Sequence, residues 1–494
     1  MVTFRWMIFH TIFIALSLWH SSHANIGYFW QITDIHLDLN QSSNGIRDKY
    51  CLRQNGAPYR PTEGRFGDHA CDSPIALVES AIRAMKKVTG ERIEFILWTG
   101  DTISHAMHGS EEHFNEETLF DVLSNVTSLL KKEFPMSNVY PVLGNLDWHP
   151  RFGMQPGSET FKNRLQRFSS LWQQWVPPES SATFATGGYY AIEPKDKKPR
   201  LLILNTSLYH KKSNKIPTND NDPAHQFRWL TKMLKEARER SETVYIIGHI
   251  PPGNPERYLS NRLGLASYQD SFTKRYIELV REFHSVIAGQ FFGYFHSDSF
   301  RVFYKKMDKD QGKFLLREPI SYLFIAPAVS PRKSLLADEI GPNNPGIRLY
   351  KYNTTSGEIH DYIQYFLNLT EANEKNHDDW QILYNLTSYY DLPNVTAKSL
   401  SDLAFALNTK DNPLFSRYYR ANSVGYQEDS KSCSNLCQRT HFCVITNVDQ
   451  TDYERCIQTV LSTFGTACKH HTSALQSFSL FLVVTSVVRW ILTI

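Results

Sequence analysis

Phe29-Trp30-Gln31-Ile32-Thr33-Asp34-Ile35-His36-Leu37-Asp38 decides how this chain is read. Its apolar, aromatic start reads as a buried strand, and the strand ends in Asp-x-His, a carboxylate and an imidazole where strand gives way to loop. The pattern recurs. Gly100-Asp101 follows Phe95–Trp98, Gly144-Asn145-Leu146-Asp147 follows the run 139–143, Gly248-His249 follows Val244–Ile247, and Gly293-Tyr294-Phe295-His296 lies beyond the run 286–288. Runs at 201–204 and 322–325 complete the set of expected strands. Helical patterns separate them: Asp72-Ser73-Pro74 predicts a cap residue with proline at the first helical position, and Ile75, Val78, Ile82 and Met85 share one face. Strand and helix in alternation predict an α/β sandwich. Residues 347–352 and 359–366, flanking Asn353-Thr354-Thr355-Ser356-Gly357, predict a hairpin closing a sheet edge. Beyond about 368 the texture turns to polar helical segments, 378–392 and 400–409, followed by a cysteine cluster.

Loops at strand C-termini are where α/β sheets assemble their sites. Carboxylate, imidazole and amide oxygen together suit hard to borderline divalent metals such as Zn²⁺, Mn²⁺ or Fe, and Asp101 could bridge two of them. Each motif alone is weak, since Asp-x-His is expected about once by chance in a chain of this length. Five in this order, each after an apolar run, point to one metal site.

In that order the motifs resemble the calcineurin-like metallophosphoesterase superfamily, and within it the acid sphingomyelinase-like phosphodiesterases. The likeness is carried by residues 29–38 quoted above, Cys71-Asp72-Ser73-Pro74, Ile96-Leu97-Trp98-Thr99-Gly100-Asp101, Val142-Leu143-Gly144-Asn145, Tyr245-Ile246-Ile247-Gly248-His249-Ile250-Pro251-Pro252-Gly253 and Ile287-Ala288-Gly289-Gln290-Phe291-Phe292-Gly293. It extends from about Gly27 to Cys456. It implies a four-layer sandwich, two mixed β-sheets flanked by helices, with a small helical, disulfide-bonded C-terminal subdomain. It implies two zinc ions, one on Asp34, His36, Asp101 and His296, the other on Asp101, Asn145, His249 and the residue at 294. The implied activity is hydrolysis of a phosphodiester in a choline phospholipid (sphingomyelin) or a nucleotide, with the paired metals activating the nucleophile and neutralising phosphoryl oxygens. Six cysteines allow fifteen pairings; the resemblance implies Cys51–Cys71, Cys433–Cys437 and Cys443–Cys456.

Two departures stand out. Where the family carries the histidine proposed to protonate the leaving group, this chain has Leu146. Where it carries a metal-binding histidine, this chain has Tyr294, a phenol with an unperturbed pKa of about 10. Three readings follow. His105, matching a family histidine, takes over as acid in a weakened phosphodiesterase; or Tyr294 ionises and ligates trivalent iron; or the protein is a catalytically inactive, one-metal binding or regulatory protein at a membrane surface. His149 is a further loop histidine that would approach the site.

The 494 residues carry a net charge of +3, which makes no case for nucleic-acid binding, and 41% are hydrophobic, enough for a sizeable core. The N-terminus reads as a secretory signal, 1–24, ending Ser22-His23-Ala24. Asn40, Asn125, Asn353, Asn368, Asn385 and Asn394 are candidate glycosylation sites, whereas the sequon at Asn205 ends an apolar run and is expected at a buried strand end. A small triplet at 465–467, a polar spacer and an apolar terminus read as a GPI-attachment signal with Gly465 as the candidate attachment residue, the alternative being a transmembrane helix. Cleavage there discards Cys468, leaving six of seven cysteines to pair. The expected organisation is a catalytic domain at 25–368, a C-terminal subdomain at 369–465 and a discarded 466–494, anchored as a monomer on the outer face of the plasma membrane; secreted or lysosomal placement is the alternative.

Overall fold

The computed structural model describes residues 25–459 apart from 41–50, 52–63, 109–114, 194–198, 218, 258–265, 307–316, 333–341, 410–411 and 428–432. The signal at 1–24, Gly465, Cys468 and the apolar tail lie outside the described residues. No described helix is long and apolar enough to cross a membrane.

The apolar runs form the middle of two six-stranded mixed sheets. In the first, β1 (Ile26–Ile32), β2 (Phe95–Trp98) and β3 (Asn138–Pro141) run parallel, each buried along most of its length, as strands covered on both faces must be. In the second, the order is Tyr190–Ile192 (β4), Arg200–Ile203 (β5), Val244–Ile247 (β6), Ile287–Phe292 (β7), then Pro319–Ile325 (β9) inside Ser299–Tyr304 (β8). Here β5, β6, β7 and β9 are mutually parallel and the edge strands antiparallel. Helices such as Ile75–Thr89, which buries Leu77, Val78, Ala81, Ile82 and Met85, cover the outer faces.

Aromatic rings fill the space between the sheets. Phe29 stacks on Phe95 and Tyr350 at 4.7 and 4.8 Å and meets Phe291 of the other sheet edge-on at 5.4 Å. One buried amide bridges the layers: Gln31 donates to the Phe292 carbonyl and accepts from the Tyr350 hydroxyl, both at 3.0 Å.

Three sequence expectations are corrected. The hairpin of Gly346–Asn353 (β10) and Ile359–Leu367 (β11) lies inside the first sheet, because β10 pairs with β1; the edge is Trp380–Asn385 (β12), a strand within the segment read as helical. As an edge strand it buries little, and the polar Gln381 and Asn385 leave it only a short apolar run. The helix at 75–89 has Pro74 at its N-cap with no side-chain cap, since Asp72 is engaged elsewhere. Asn205 is fully buried, as expected of a strand end.

After β12, helices Ala397–Leu407, Pro413–Asn422 and Asn435–Thr446 follow, the first and third packing on β8 and β9. Leu400, Leu403, Phe415 and Tyr418 join the same hydrophobic core as both sheets. Disulfides join Cys51 to Cys71, Cys433 to Cys437 and Cys443 to Cys456.

Candidate metal centre

The two sheets bring the C-terminal ends of their parallel strands together. Val329 and Ser330 N–H groups, beyond β9, donate to the Thr33 and Asp34 carbonyls beyond β1. Asp34 and His36 leave β1, Asp101 leaves β2, Asn145 leaves β3, His249 leaves β6, and Tyr294 and His296 leave β7. Asp34, His36, Asp101, Tyr294 and His296 all have φ between +46° and +73°, left-handed backbone that non-glycine residues seldom adopt and that concentrates at functional sites. The neighbouring glycines allow the close approach. A Cβ on Gly144 would lie 2.2 Å from Asp101 Oδ1, and one on Gly293 would lie 2.5 Å from Asp34 Oδ2.

Each carboxylate uses one oxygen for support and turns the other inward. Asp34 Oδ2 accepts from the Tyr294 N–H (2.9 Å) and the Thr33 hydroxyl (2.8 Å), leaving Oδ1 buried without a hydrogen-bond partner, 3.4 Å from His296 Nε2. Asp101 Oδ1 accepts from the Leu146 N–H at 2.7 Å, while Oδ2 lies 3.3 Å from His249 Nε2. The imidazoles behave alike: Nδ1 of His36 bonds the Ile103 carbonyl at 2.9 Å and Nδ1 of His249 the Thr99 carbonyl at 2.8 Å, which turns both Nε2 atoms inward, as backbone carbonyls do for metal-binding histidines. His36 Nε2 meets His296 Nε2 at 3.0 Å. The Asn145 amide lies between His249 Nε2 at 3.3 Å and Arg151 Nε at 3.2 Å. It has two settings: nitrogen toward His249, donating to an unprotonated Nε2, or oxygen toward His249, facing a protonated Nε2 or a cation held between the two groups.

The field asks for positive charge. Burial opposes ionisation, yet His296 holds Asp34 well below the usual carboxylate range, and His249 holds Asp101 down likewise. His249, although buried, is pushed up to about 9 by Asp101. A buried partnerless carboxylate oxygen facing converging Nε2 atoms is the donor set of a divalent cation, and these residues fit one.

Other expected residues fall as follows. His105 is present: its Nδ1–H donates to Asp72 at 3.0 Å, its ring lies 4.3 Å from that of His36, and one of its ring nitrogens lies within 4.8 Å of ligand atoms of His36 and His296. Burial pushes it down to about 3 despite Asp72, so at neutral pH it is uncharged. Leu146 is buried and apolar. Tyr294 lays its ring against His249, centroids 5.6 Å apart, and its hydroxyl meets His210 Nε2 at 3.1 Å. Because His210 Nδ1 accepts the Lys212 N–H, Nε2 carries the proton and donates to the phenol oxygen. Asp147 supplies no inward oxygen; its carboxylate accepts the N–H groups of Asp101, Thr102 and Gly144 at 3.0, 2.7 and 2.8 Å, tying the loops after β2 and β3. His149 packs on His108, whose Nε2 bonds the Leu146 carbonyl at 2.9 Å. His210, His108 and Arg151 escaped the sequence reading. Applying the strand-end rule to the run 201–204, read there as a strand ending in a sequon but not searched for ligands, would have pointed to the loop that holds His210.

The sequence matches the family model described as calcineurin-like phosphoesterase over residues 27–281 and that of the acid sphingomyelin phosphodiesterase C-terminal region over 318–463. It is 35% identical over 455 residues to acid sphingomyelinase-like phosphodiesterase 3b of Homo sapiens, covering 92% of this chain and 93% of that one. It is 34% identical to the cyclic GMP-AMP phosphodiesterase SMPDL3A of Homo sapiens, covering 88% and 90%, and 30% identical to sphingomyelinase phosphodiesterase C of Dictyostelium discoideum, covering 91% and 96%. With matches to both halves and two inward carboxylate oxygens facing three imidazoles, the chain belongs to the acid sphingomyelinase-like phosphodiesterases of the calcineurin-like phosphoesterase family.

Proposed function

We propose that the protein is an extracellular, zinc-dependent phosphodiesterase of reduced activity that cleaves the phosphodiester of a choline phospholipid or of a nucleotide. The observation that carries this is the convergence of Asp34 Oδ1, Asp101 Oδ2 and the Nε2 atoms of His36, His249 and His296 in one buried cluster. Asp34, His36, Asp101 and His296 would hold one ion, and Asp101, Asn145 and His249 the second, with Tyr294 at the position of its fourth ligand. Bound there, the ions supply Lewis acidity toward the phosphoryl oxygens and lower the pKa of the attacking water.

The chain's own residues supply orientation and protons. Asp101 is fixed by the Leu146 N–H, and the Thr99 and Ile103 carbonyls set the tautomers of His249 and His36. Arg151, beside Asn145, is placed to pair a phosphoryl oxygen. Proton delivery to the leaving oxygen falls to His105 at Nε2, with Asp72 steadying Nδ1. A histidine held down to about 3 is a weak proton source at pH 7, and Leu146 offers none, which accounts for reduced turnover. The relatives named for sphingomyelin and for cyclic GMP-AMP suggest the two substrate classes.

The signal, the sequons and the apolar tail support export and lipid anchoring on the outer face of the plasma membrane, as a monomer; Asn40, Asn125 and Asn394 are exposed, as glycan sites must be. A second reading, a one-metal binding protein, is favoured by the apolar Leu146 and by the bond from His210 to the Tyr294 hydroxyl. Metal analysis together with hydrolysis of sphingomyelin and of nucleotides by the zinc-saturated protein decides between them. Close to two ions per chain with turnover of either substrate supports the enzyme; about one ion with no turnover supports the binding protein.

A further inference from the structure

We propose that Asn422, at the end of the C-terminal helix Pro413–Asn422, is the positioning residue that sets the two metal-ligand loops of the second sheet against each other. It is fully buried although polar, and every polar group of its side chain reaches one of those loops. Its Nδ2 donates to the Asp298 carbonyl at 2.8 Å and to Glu256 Oε1 at 3.0 Å. Its Oδ1 accepts from Arg257 Nε at 2.8 Å. Asp298 stands two residues after His296, whereas Glu256 and Arg257 continue the loop that begins at His249.

The main chain of Asn422 adds to this. A helix leaves its last carbonyls without intrahelical partners. The Asn422 carbonyl accepts from Arg257 Nη2 at 2.6 Å and from the Asp298 N–H at 3.3 Å. Asp298 therefore has both its N–H and its C=O bonded to one residue, as a strand partner would bond it, at a point between β7 and β8 where no strand runs alongside. The neighbours close the knot: the Ser297 hydroxyl donates to Glu256 Oε1, Arg301 pairs with Glu256 Oε2 at 2.7 Å, and Arg348 pairs with the Asp298 carboxylate. His296 and His249 lie on opposite sides of this junction, and their Nε2 atoms have to meet the same cluster. An error of about 1 Å in such a constellation is enough to cost a large factor in function.

The inference rests on the metal reading of the site, and its test separates the two. Asn422→Asp keeps the shape but sets an oxygen against the Glu256 carboxylate and the Asp298 carbonyl. Arg257→Gln leaves Asn422 in place but removes the Nη2 bond to its carbonyl and the ionic character of the Nε bond, which keeps the proposal open to refutation where Asn422→Asp does not fold. Zinc titration by calorimetry is run on the full chain and on each variant, alongside circular dichroism and hydrolysis of bis(p-nitrophenyl) phosphate at rising zinc. The expected result is zinc binding at least tenfold weaker in Asn422→Asp, a smaller loss in Arg257→Gln, unchanged circular dichroism, and activity that returns as zinc is raised. Equal zinc affinity in all three chains, or activity lost and not restored by zinc, overturns the positioning role. A wild-type chain that takes up no zinc overturns the metal reading and this inference with it.

Discussion

Leu146 and Tyr294 occupy the two places where chemistry and packing disagree. Leu146 offers the site main-chain groups alone, its N–H to Asp101 and its carbonyl to His108, and its side chain is buried among apolar neighbours. Tyr294 contributes a ring to His249 and a hydroxyl that accepts from His210. Replacing both by histidine returns a proton carrier and an imidazole ligand, and the loss of a general acid is worth ~10² to 10⁴ in rate. Leu146→His with Tyr294→His is expected to raise hydrolysis of bis(p-nitrophenyl) phosphate by ~10²-fold or more; a double variant no faster than wild type would show that these positions do not limit catalysis. The residues that converge here were legible as candidates, because they stand at or shortly beyond the ends of apolar runs. What lay beyond reach was orientation. Nothing in the string shows that Asp147 faces backbone N–H groups while Asp34 and Asp101 face inward, or that His210, distant in sequence, meets Tyr294.

Parallel strands were the easiest elements to find, since burial on both faces makes them continuous apolar runs. Edge elements were the hardest: β4 is only three residues long, and β12 is exposed along much of its length, with Tyr384 its one buried residue, so neither offers such a run. The helix Asn435–Thr446 carries a titration of its own. His441 is buried against Phe415, Tyr418 and Tyr419, with Nδ1 3.3 Å from the Tyr418 hydroxyl and Nε2 without a hydrogen-bond partner. Burial holds it down to about 4, although Glu256 pulls the other way. Between pH 6.5 and 4 the unfolded chain therefore binds a proton that the folded chain refuses, so stability falls as pH falls through that window. The difference amounts to about 3 kcal/mol at its lower end. Urea unfolding followed from pH 7 to pH 4 should show a shallower loss for His441→Phe than for wild type. Parallel curves would mean that this histidine is not the titrating group.

Across the whole molecule the centre is assembled from residues spread from Asp34 to His296, and a cation bound only by the folded form stabilises it by mass action. At a free concentration of ~1,000 Kd the gain is about 4 kcal/mol. Chelation is accordingly expected to lower the melting temperature by several degrees and zinc to restore it; identical melting curves with and without chelator would argue against a cation held by this cluster. The fold class and the strand ends that carry the candidate ligands were visible in sequence. The continuity of the core was not: a boundary near 368 separates stretches of different texture, yet β12 beyond it hydrogen-bonds to β11, and Phe415 and Tyr418 pack into the same interior as both sheets. Texture reports local composition, whereas a shared interior is a property of long-range contacts. The main-chain bonds by which Val329 and Ser330 reach Thr33 and Asp34 carry a consequence for biosynthesis. As the chain emerges N-terminus first, the earliest ligand pair waits for a stretch almost three hundred residues later before its loop is fastened. A nascent chain that stops short of Val329 lacks these bonds, so the loop that carries Asp34 is fastened only once about two thirds of the chain has been made.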